Sequence, residues 1–465
     1  TNPNVVCVGG INRMSSQQKR GGGTVCFVHD QLHAYLRSVI ATTQDCDVLP
    51  PGIPLKILGA ENSLLVGATV VDQPPPHVRG DKAHISGDLA YGDSYQPYHF
   101  VFFSQFSMFA WENCTSVRYL RPNRSAFDYH CAQSLLHYAQ SQQGVTAFFD
   151  TPLVPALRED LPSWFLQTLS TAGHTSTVAA TLINEHVSHV LSYFVTACEG
   201  GTIMFDHFNP IPFGAAVVVS DLLDASGAPR NAGAGPQDSA WATAFGPSFD
   251  GSVALLKVAF VAARNAVVST QAHAAQQPSL LYADTGITAA TGEQDGMTGV
   301  GTKAAATLKL LQAAKAQGAP IDGVLFKLRC AGTGSAEQSS DECTLPALST
   351  AIEAFGAAGF QVWISLHTAP ATAAAVAVAA SAHRQLQFRQ DDLAAGADLR
   401  SQALADIYHA VGAACAGDRS HYCKAIHFEG FTDAFCGGAA NAGGCMLDGH
   451  YGAKAAYTSL QASLK

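Results

Sequence analysis

Carboxylates and their neighbours decide which chemistry this chain could perform, and one stretch stands out. Residues 205–210 are Phe-Asp-His-Phe-Asn-Pro, and they follow a short apolar run of the kind that forms a buried strand. Barrels of alternating strands and helices place their chemistry at the carboxyl ends of such strands. Asp206 and Asn209 are polar, but the last position is Pro210, whose side chain can neither donate nor accept a proton. The stretch predicts a barrel-type site with a chemically silent residue at its centre.

Other polar residues follow other predicted strands and are candidates for the rim of the same cleft. They share a position close to the end of an apolar run, where the carboxyl ends of parallel strands meet. Their charged members form either a solvated, mutually paired ring at the barrel rim or the lining of a repurposed polar pocket. The candidates are Glu112, Asn113, Asp150, Asp206, Asn209, Asp284, Lys327, Arg329, His367 and Glu429.

The sequence predicts no metal and no cofactor. His186 and His189 are three residues apart on a predicted helix and share a face, but no third ligand is in view, so they are interpreted as helix-surface histidines. The glycine pattern Gly-x-Gly-x-x-Gly, which binds dinucleotides, does not follow the first predicted strand.

Composition restricts the class of partner. The chain has 465 residues, 48% of them hydrophobic and 13% charged, so it can bury a large core. Its formal net charge is -10 at pH 7 and it has no long basic run, which argues against binding to nucleic acid or an anionic membrane surface. No apolar run approaches the length of about 18 residues that spans a bilayer, so we expect no membrane span.

The cysteines and two sequons favour a secreted protein. The cysteine count is 12, and the spacings of Cys330 and Cys343, of Cys415 and Cys423, and of Cys436 and Cys445 are typical of loop-closing disulfides. Asn113 and Asn123 begin acceptor sequences for N-glycans. The chain starts at Thr1 with no leader, as expected if a signal peptide has been removed. The alternative is a cytosolic protein with buried free thiols.

The chain divides into three predicted parts. Residues 1–50 have no legible role, apart from one short predicted helix at 30–40. Residues 51–76 predict a small β module with strands at 54–58 and 64–71, and the three prolines at 74–76 mark a stiff boundary. Residues 84–465 form the main domain.

The main domain alternates apolar runs with long helical stretches. Repeated strand and helix indicate a parallel sheet covered by helices, and the even spacing favours an α/β fold of the closed (β/α)₈ TIM barrel type over an open, doubly wound sheet. The predicted strands are 98–103, 144–149, 201–205, 279–283, 323–328, 361–366 and 425–428. The predicted helices are 133–140, 178–196, 252–268, 302–317, 345–358 and 399–415.

Several segments in this order resemble glycoside hydrolase family 10, the retaining xylanase barrels. Leu-Pro-Ser-Trp at 161–164 is followed by the helix at 178–193 and by Phe-Asp-x-x-Asn at 205–209. Gly-Ala-Pro-Ile-Asp-Gly at 318–323, the strand at 359–364 and the closing segment 446–457 then fit in the same order. The resemblance covers residues 85–465 and implies a TIM barrel, and the module before it is similar to the β segment that precedes the barrel in plant-type members.

The same resemblance implies that the catalytic carboxylates are missing. Retaining glycosidases use two carboxyl groups about 5 Å apart. The family's acid/base glutamate directly follows the asparagine that matches Asn209, which places Pro210 there, and the nucleophile matches Leu366. Sugar-binding positions also differ from those of the family. Ser116 stands where the family has a lysine, and Asp150 stands where it has a histidine. Lys327 and Arg329 replace a glutamine and a histidine, and Glu429 replaces a tryptophan.

Three functional hypotheses remain open. The first is a secreted, catalytically inactive glycoprotein with a structural or interaction role in an extracellular matrix, wall or filament, alone or as a homo-oligomer. The second is a carbohydrate-binding protein that uses the old cleft. The third is an active glycosidase with relocated carboxylates, for instance Asp150 or Glu429 as the acid and Asp284 as the nucleophile. The partners are a polysaccharide or other extracellular proteins.

Overall fold

The structure is a computed structural model that describes most of the chain in separate stretches. These are residues 5–9, 24–28, 50, 52–70, 96–111, 114–140, 144–170, 175–200, 210–270, 277–288, 302–331, 343–369, 390–433, 445–448 and 451–465. The chain divides into two compact units, Thr1–Val48 and Leu49–Lys465. In the first unit, β1 (Val5–Gly9) and β2 (Thr24–Val28) form an antiparallel pair. The helix predicted at 30–40 lies outside the described residues.

The second unit is a closed barrel of eight parallel strands, which confirms the predicted TIM barrel. Its last strand pairs with its first, and the third strand pairs with the fourth, so the sheet has no open edge. A two-residue strand, β6 (Val154–Pro155), pairs with the end of β7. The barrel strands are β3 (Leu65–Val70), β4 (Met108–Trp111), β5 (Thr146–Phe149), β7 (Phe213–Ser220), β8 (Ser279–Thr285), β9 (Gly323–Ala331), β10 (Gln361–Ala369) and β11 (Cys423–Phe428).

Helices connect these strands, as the right-handed crossovers of parallel strands require. The six predicted helices are all present, and their ends differ from the prediction by a few residues, except that α11 begins nine residues earlier. The described helices are α1 (Leu55–Glu61), α2 (Gln96–Gln105), α3 (Val117–Leu120), α4 (His130–Gln140), α5 (Ser163–Ser170), α6 (Ser176–Cys198), α7 (Ala242–Phe245), α8 (Phe249–Thr270), α9 (Thr302–Ala316), α10 (Leu345–Ala357), α11 (Gln390–Cys415) and α12 (Ala455–Ser463).

The fourth barrel strand differs from its prediction. The expected strand at 201–205 lies outside the described residues, and the strand that pairs with β5 and β8 is β7, Phe213–Ser220. Pro210 is exposed and precedes β7, so it lies on the amino-terminal side of this strand. The prediction that Pro210 follows the fourth strand is therefore wrong.

The small β module is also corrected. Residues 54–58 fall mostly in α1, because Pro54 precedes the helix and Leu55, Leu58 and Gly59 form a buried face at helical spacing. The second predicted strand of the module is β3, which is the first strand of the barrel and pairs with β11 and β4. The barrel therefore begins before residue 84.

The predicted strand at 98–103 is part of α2. Its aromatic residues favour a strand by propensity, but Tyr98 and Phe102 are fully buried and both contact Phe431, while Phe100 is 51% exposed. Burial at positions i and i+4 is the helical period. Tertiary packing here overrides a weak local preference.

The barrel interior is filled by one apolar layer to which all eight strands contribute. Phe148 of β5, Leu325 of β9 and Trp363 of β10 belong to it, together with small residues from the neighbouring strands. Because side chains alternate along a strand, this layer fixes which residues farther along each strand also point inward. Those residues form the floor of the cleft described below.

One described helix, α8, is long and apolar enough by composition to cross a membrane. Its apolar window is 61% buried inside the protein. The buried residues include Leu256, Phe260 and Val267, and the helix packs on α6 and β7. This is the pattern of a core helix, so the composition is weak evidence for a membrane span.

Two of the three predicted disulfides are confirmed. Cys330 bonds to Cys343, and Cys415 bonds to Cys423. Cys445 is disulfide-bonded, and its predicted partner Cys436 lies outside the described residues. A further disulfide that the sequence did not suggest joins Cys114 to Cys131, and Cys198 is a buried free thiol.

Candidate functional site

A cleft of about 690 Å³ opens at the carboxyl ends of the barrel strands. Its lining is mostly polar and comes from the ends of most barrel strands and the loops that follow them. The mouth is therefore open rather than filled by side chains. This is the face at which barrel enzymes carry their sites.

Strand alternation explains which candidates line this cleft. Leu325 and Trp363 belong to the interior layer, so Lys327 and Arg329 of β9, and Ser365 and His367 of β10, point into the barrel mouth. The same rule brings Asp150, Thr285 and Glu429 to the mouth from the other strands. The structure thus brings together Asp150, Lys327, Arg329, His367 and Glu429, all of which were candidates from the sequence.

Asp221 is a cleft carboxylate that the sequence analysis missed. It directly follows β7 and is 8% exposed, and Thr285 Oγ1 donates to its Oδ1 at 3.3 Å. Burial raises the pKa of Asp221, but the Lys327 ammonium, the Ser220 hydroxyl and further cations outweigh burial and hold the pKa below its usual value. The carboxyl group is therefore ionised near neutral pH.

Asp284 lies behind the cleft and does not line it. Alternation along β8 turns its side chain away from the interior, where it is fully buried and forms an ion pair with Lys303 of α9 at 2.7 Å. The Tyr282 hydroxyl donates to the other carboxylate oxygen at 2.8 Å. Burial raises the pKa of Asp284 to about 7, although Lys303 opposes the shift. The hypothesis that Asp284 acts as a nucleophile is wrong because this group cannot reach a ligand in the cleft.

The seventh barrel strand, β10, presents no carboxylate to the cleft. Leu366 is 2% exposed and points away from the barrel axis, so it does not line the cleft. The inward residues near the strand's end are Ser365 and His367. The resemblance matched the family's nucleophile to Leu366, but the side chains that face the cleft at this level are those of Ser365 and His367.

Glu429, beyond the end of β11, supplies a carboxylate to this side of the cleft. His367 Nδ1 lies 2.7 Å from Glu429 Oε2, and both side chains are about 40% exposed. Burial raises the pKa of Glu429, but the hydrogen bond and charge of His367 outweigh it and lower the pKa to about 2. In return, the hydrogen bond to Glu429 raises the pKa of His367. The pair is therefore ionised on both sides at weakly acidic pH.

A chain of hydrogen bonds runs from Glu429 into the barrel. Ser365 Oγ donates to Glu429 Oε1 at 3.4 Å and lies 3.1 Å from Nδ1 of His427, whose Nε2 is 3.1 Å from the Thr69 hydroxyl. A hydroxyl that donates to Glu429 must accept from His427, so Nδ1 of His427 carries the proton. Ser365 is therefore not activated as a nucleophile, because the adjacent imidazole donates to it rather than accepting its proton.

Asp150 follows β5 and is the cleft carboxyl group with the highest pKa. Burial and, after it, the negative charge of Glu429 raise its pKa to about 7, although Lys327 opposes both effects. Thr151 Oγ1 donates to it at 3.4 Å. Asp150 can therefore carry a proton under conditions in which Glu429 is ionised.

Lys327 lies at the centre of the charges in the cleft. Its positive charge opposes the rise in the pKa values of Asp150 and Asp160 that burial causes, and it contributes to the lowered pKa values of Asp221 and Glu429. Arg329, two residues farther along the same strand, is exposed at the mouth. The floor of the cleft thus has cations between carboxylates that come from different strands.

Four site predictions lie outside the described residues: Glu112, Asn113, Asp206 and Asn209. Asn123 is exposed in a turn, in which its Oδ1 accepts hydrogen bonds from the backbone N–H groups of Ser125 and Ala126. The modification of Asn123 remains a prediction.

The described residues contain no cluster of three metal-ligating side chains. His186 is buried rather than on the surface, and its ring contacts Phe165 edge-on, whereas the exposed His189 stacks on Phe127 at 3.9 Å. Both histidines take part in aromatic packing.

The missed residues had a weak signal in the sequence. Three consecutive valines, 217–219, precede Ser220 and Asp221, which is the pattern of a buried strand followed by polar residues. Pro212 and Gly214, just before these valines, indicated a turn instead. Nothing in the sequence indicates the hydrogen bonds among Thr69, Ser365 and His427, because these residues are as much as 358 positions apart.

Comparisons with protein families match two parts of the chain. Residues 84–463 match the family described as Glycosyl hydrolase family 10, and residues 1–46 match the family described as Deoxyribonuclease II. The first match covers most of the chain and the second only its beginning. No curated protein matches the chain.

Solved structures with the same fold include several xylanases. Native xylanase 10B from Thermotoga maritima is 16% identical with a TM-score of 0.60, over 89% of this chain and 98% of that chain. XylE, an endo-1,4-beta-xylanase from Penicillium canescens, is 18% identical with a TM-score of 0.59, over 89% and 98%. A mutant of Xylanase10C from Cellvibrio japonicus in complex with xylopentaose is 18% identical with a TM-score of 0.61, over 89% and 69%. At these identities the likeness shows the fold alone.

Proposed function

This chain belongs to glycosyl hydrolase family 10, and we propose that its cleft binds a saccharide chain without cleaving it by the family's retaining mechanism. The observation that carries the proposal is the end of β10. Its inward residues are Ser365 and His367, so the strand that is implied to carry the nucleophile offers a hydroxyl and an imidazole in place of a carboxylate. Neither group can form the glycosyl ester of the retaining route.

The carboxylate at the end of the fourth strand, β7, supports a cleft that has lost catalysis but still binds a saccharide. The resemblance matched the acid/base glutamate to Pro210, directly after Asn209, whereas the residue that directly follows the fourth barrel strand is the carboxylate Asp221. Asp221 is one methylene shorter than glutamate and is ionised, so it is a good acceptor for sugar hydroxyl groups and a poor proton donor. The acid position thus favours binding over catalysis.

The open cleft favours saccharide binding over a purely structural role. A barrel used only as a building block needs no cleft of about 690 Å³ lined by carboxylates, cations and hydroxyls. These are the groups that bind sugar hydroxyls, and Tyr119, which is 59% exposed at the rim, offers a ring face for stacking.

We further propose that the protein works outside the cell, in a matrix or wall, where it holds a polysaccharide. The support is the three disulfides among the described residues and the exposed sequon at Asn123. A filament or homo-oligomer of such barrels would present several clefts to one polysaccharide.

Affinity electrophoresis combined with a reducing-sugar assay tests this proposal. The purified chain would be run through gels that contain xylan, a neutral glucan, a galacturonan or a sulfated galactan. We expect retardation by at least one polysaccharide and no sugar release above buffer. The variant Asp221→Ala/Glu429→Ala should lose most of the retardation, because it removes two acceptors from the cleft, whereas Lys257→Ala on the exposed face of α8 should keep it.

Two results would contradict the proposal. Equal mobility in all four gels would show that the cleft binds none of these polysaccharides. Release of sugar that disappears in the double variant and persists in Lys257→Ala would show that the cleft is a working active site.

A second candidate function, hydrolysis by relocated carboxyl groups, is favoured by one observation. Asp150 has a raised pKa of about 7, to which the negative charge of Glu429 contributes, and Glu429 has a lowered pKa of about 2. A protonated and an ionised carboxyl group that face one cleft are the pair that glycoside hydrolysis requires. Asp150 would protonate the leaving oxygen, and Glu429 would activate water or attack the sugar.

An aryl xylobioside, whose leaving group needs little protonation, separates these roles. If the second candidate holds, Glu429→Gln abolishes phenol release, while Asp150→Asn slows the hydrolysis of xylan far more than that of the aryl substrate. If the variants and the parent release phenol at the buffer rate, this candidate is excluded and the binding function is unaffected.

A further inference from the structure

The wall formed by β9 and β10 differs in charge from the rest of the cleft. In the register of the two strands, Lys327 stands beside Ser365 and Arg329 stands beside His367. All four side chains point into the barrel mouth and line the cleft. The family resemblance implies a neutral glutamine and a histidine at the two β9 positions, so this wall has two permanent positive charges in their place.

Arg329 is the most accessible of these cations. It is exposed, and among the described residues no carboxylate lies within ion-pair distance of it. The other two arginines of the cleft are held by the backbone: Arg118 donates to the Glu159 carbonyl, and Arg230 donates to the carbonyls of Asp221 and Gln237. The guanidinium of Arg329 is therefore the one in the described cleft whose fork is open to a ligand.

The carboxylates nearby do not cancel this charge. Glu429 is paired with His367 at 2.7 Å. Asp221 follows β7, two strands away from β9, and its carboxylate accepts from Thr285, which stands beside Lys327 in the register of β8 and β9. Its negative charge is therefore directed at Lys327 rather than at Arg329. Asp150 has a pKa of about 7, so it is largely uncharged in weakly acidic solution. The positive charge of Arg329 thus remains available at the β9 wall, with the Lys327 ammonium two residues before it on the same strand.

We propose that the cleft selects an acidic saccharide, with the Arg329 fork and the Lys327 ammonium binding a carboxylate or sulfate group of one sugar residue. This inference rests on the proposed saccharide-binding function and specifies its ligand class. A planar guanidinium fork matches the two oxygens of either acidic group, and the flexible lysine adds a second charge beneath it. The uronate and the sulfate ester share this chemistry, and the experiment distinguishes them.

Calorimetric titration with three hexasaccharides tests the inference. The probes are xylohexaose, which is neutral, hexagalacturonate, which has carboxylates, and a sulfated galactan hexasaccharide, all at about pH 6 and at low and high NaCl. We expect one acidic probe to bind about tenfold or more tightly than xylohexaose, with an advantage that shrinks at high salt. A uronate site prefers hexagalacturonate, and a sulfate site prefers the galactan.

Three variants assign this preference to Arg329. Arg329→Gln should weaken binding of the preferred acidic probe about tenfold and leave xylohexaose binding unchanged. Arg329→Lys should recover part of the loss because it keeps the charge but not the fork. Lys257→Gln removes one positive charge from the exposed face of α8 and should change neither affinity, which excludes a general effect of net charge.

The failures of the two proposals are distinguishable. If xylohexaose binds as tightly as both acidic probes, or if Arg329→Gln and Lys257→Gln behave alike, the acidic selectivity is overturned and saccharide binding stands. If none of the three hexasaccharides binds the parent chain, both proposals are overturned.

Discussion

The two sides of the cleft use charged groups in opposite ways. On the β7 and β8 side, Asp221 lies in front of a buried ion pair, Asp284 with Lys303, in which both side chains are at most 6% exposed. On the β10 and β11 side, the ion pair of His367 with Glu429 is itself in the cleft and about 40% exposed. The first pair supports the floor of the barrel, whereas the second is available to a ligand.

The ends of β7 and β10 differ in the same way. At the end of β7, the Thr285 hydroxyl donates to the Asp221 carboxylate, Arg230 donates to the Asp221 carbonyl, and Lys303 of α9 donates to the Thr285 carbonyl. The end of β10 presents His367, whose contact with Glu429 is itself exposed in the cleft. A position with a structural role is costlier to change than one that only contacts solvent and ligand.

The largest expected effect is on the buried pair. Lys303→Met leaves the fully buried carboxylate of Asp284 without its cation, which should lower the free energy of unfolding by about 3–5 kcal/mol in urea denaturation. The control Lys257→Met, on the exposed face of α8, should change it by less than about 0.5 kcal/mol.

A second substitution checks the cause of this loss. Adding Asp284→Leu to Lys303→Met removes the unpaired charge, so the double variant should be more stable than Lys303→Met alone. Equal losses for Lys303→Met and Lys257→Met would contradict the view that this pair supports the β7 side.

The pH dependence of stability gives an intermediate effect. The pKa of Asp150 is about 7 in the folded chain and about 3.9 when unfolded, so its contribution to stability is present below about pH 4 and is lost as pH rises through 7. Asp150→Asn should therefore match the parent near pH 4 and be more stable by about 1–2 kcal/mol near pH 8, after allowance for solvent screening.

Urea denaturation at a series of pH values measures this difference. Glu61→Gln, an exposed carboxylate on α1, is the control and should follow the parent at every pH. The pH dependence that Glu429 gives to stability has the opposite sign. Its pKa is lowered to about 2, so its contribution to the free energy of unfolding is present above about pH 4.5 and is lost as pH falls. A difference for Asp150→Asn that does not grow between pH 4 and pH 7 would contradict the raised pKa.

The smallest expected effect is on the exposed pair. His367→Gln removes an ion pair that is about 40% exposed on both sides, and it should change the free energy of unfolding by less than about 1 kcal/mol. The same variant should alter saccharide affinity, because Glu429 would then face the ligand unpaired. A loss of stability as large as that of Lys303→Met would remove the distinction between the two sides of the cleft.

Much of the barrel was predictable, and the exceptions have physical causes. Six helices and the strands β5, β8, β9, β10 and β11 follow from apolar runs and helical periodicity. The fourth strand was misplaced because strands of a parallel barrel are buried on both faces and lack alternation, so neighbouring apolar runs cannot be ranked by pattern. The pairing with β5 and β8 identifies Phe213–Ser220 as the fourth barrel strand.

The candidate site was predictable in its position and only partly in its members. Asp150, Lys327, Arg329, His367 and Glu429 were identified because each lies near the end of a strand that was correctly placed. The prediction that Asp284 lines the cleft was wrong, because a shift of one residue along a strand moves a side chain to the other face of the sheet. Asp221 was missed together with its strand.

The sequence by itself determined the α/β barrel, the family, the face on which the site lies and two disulfides, since these depend on local periodicity, segment order and short cysteine spacings. Only the tertiary structure decided which side chains meet in the cleft. Inward and outward positions are fixed by the apolar layer that all eight strands share. Contacts such as those of Glu429 with His367 and of Asp284 with Lys303 depend on strand register and barrel closure, which are properties of the whole chain.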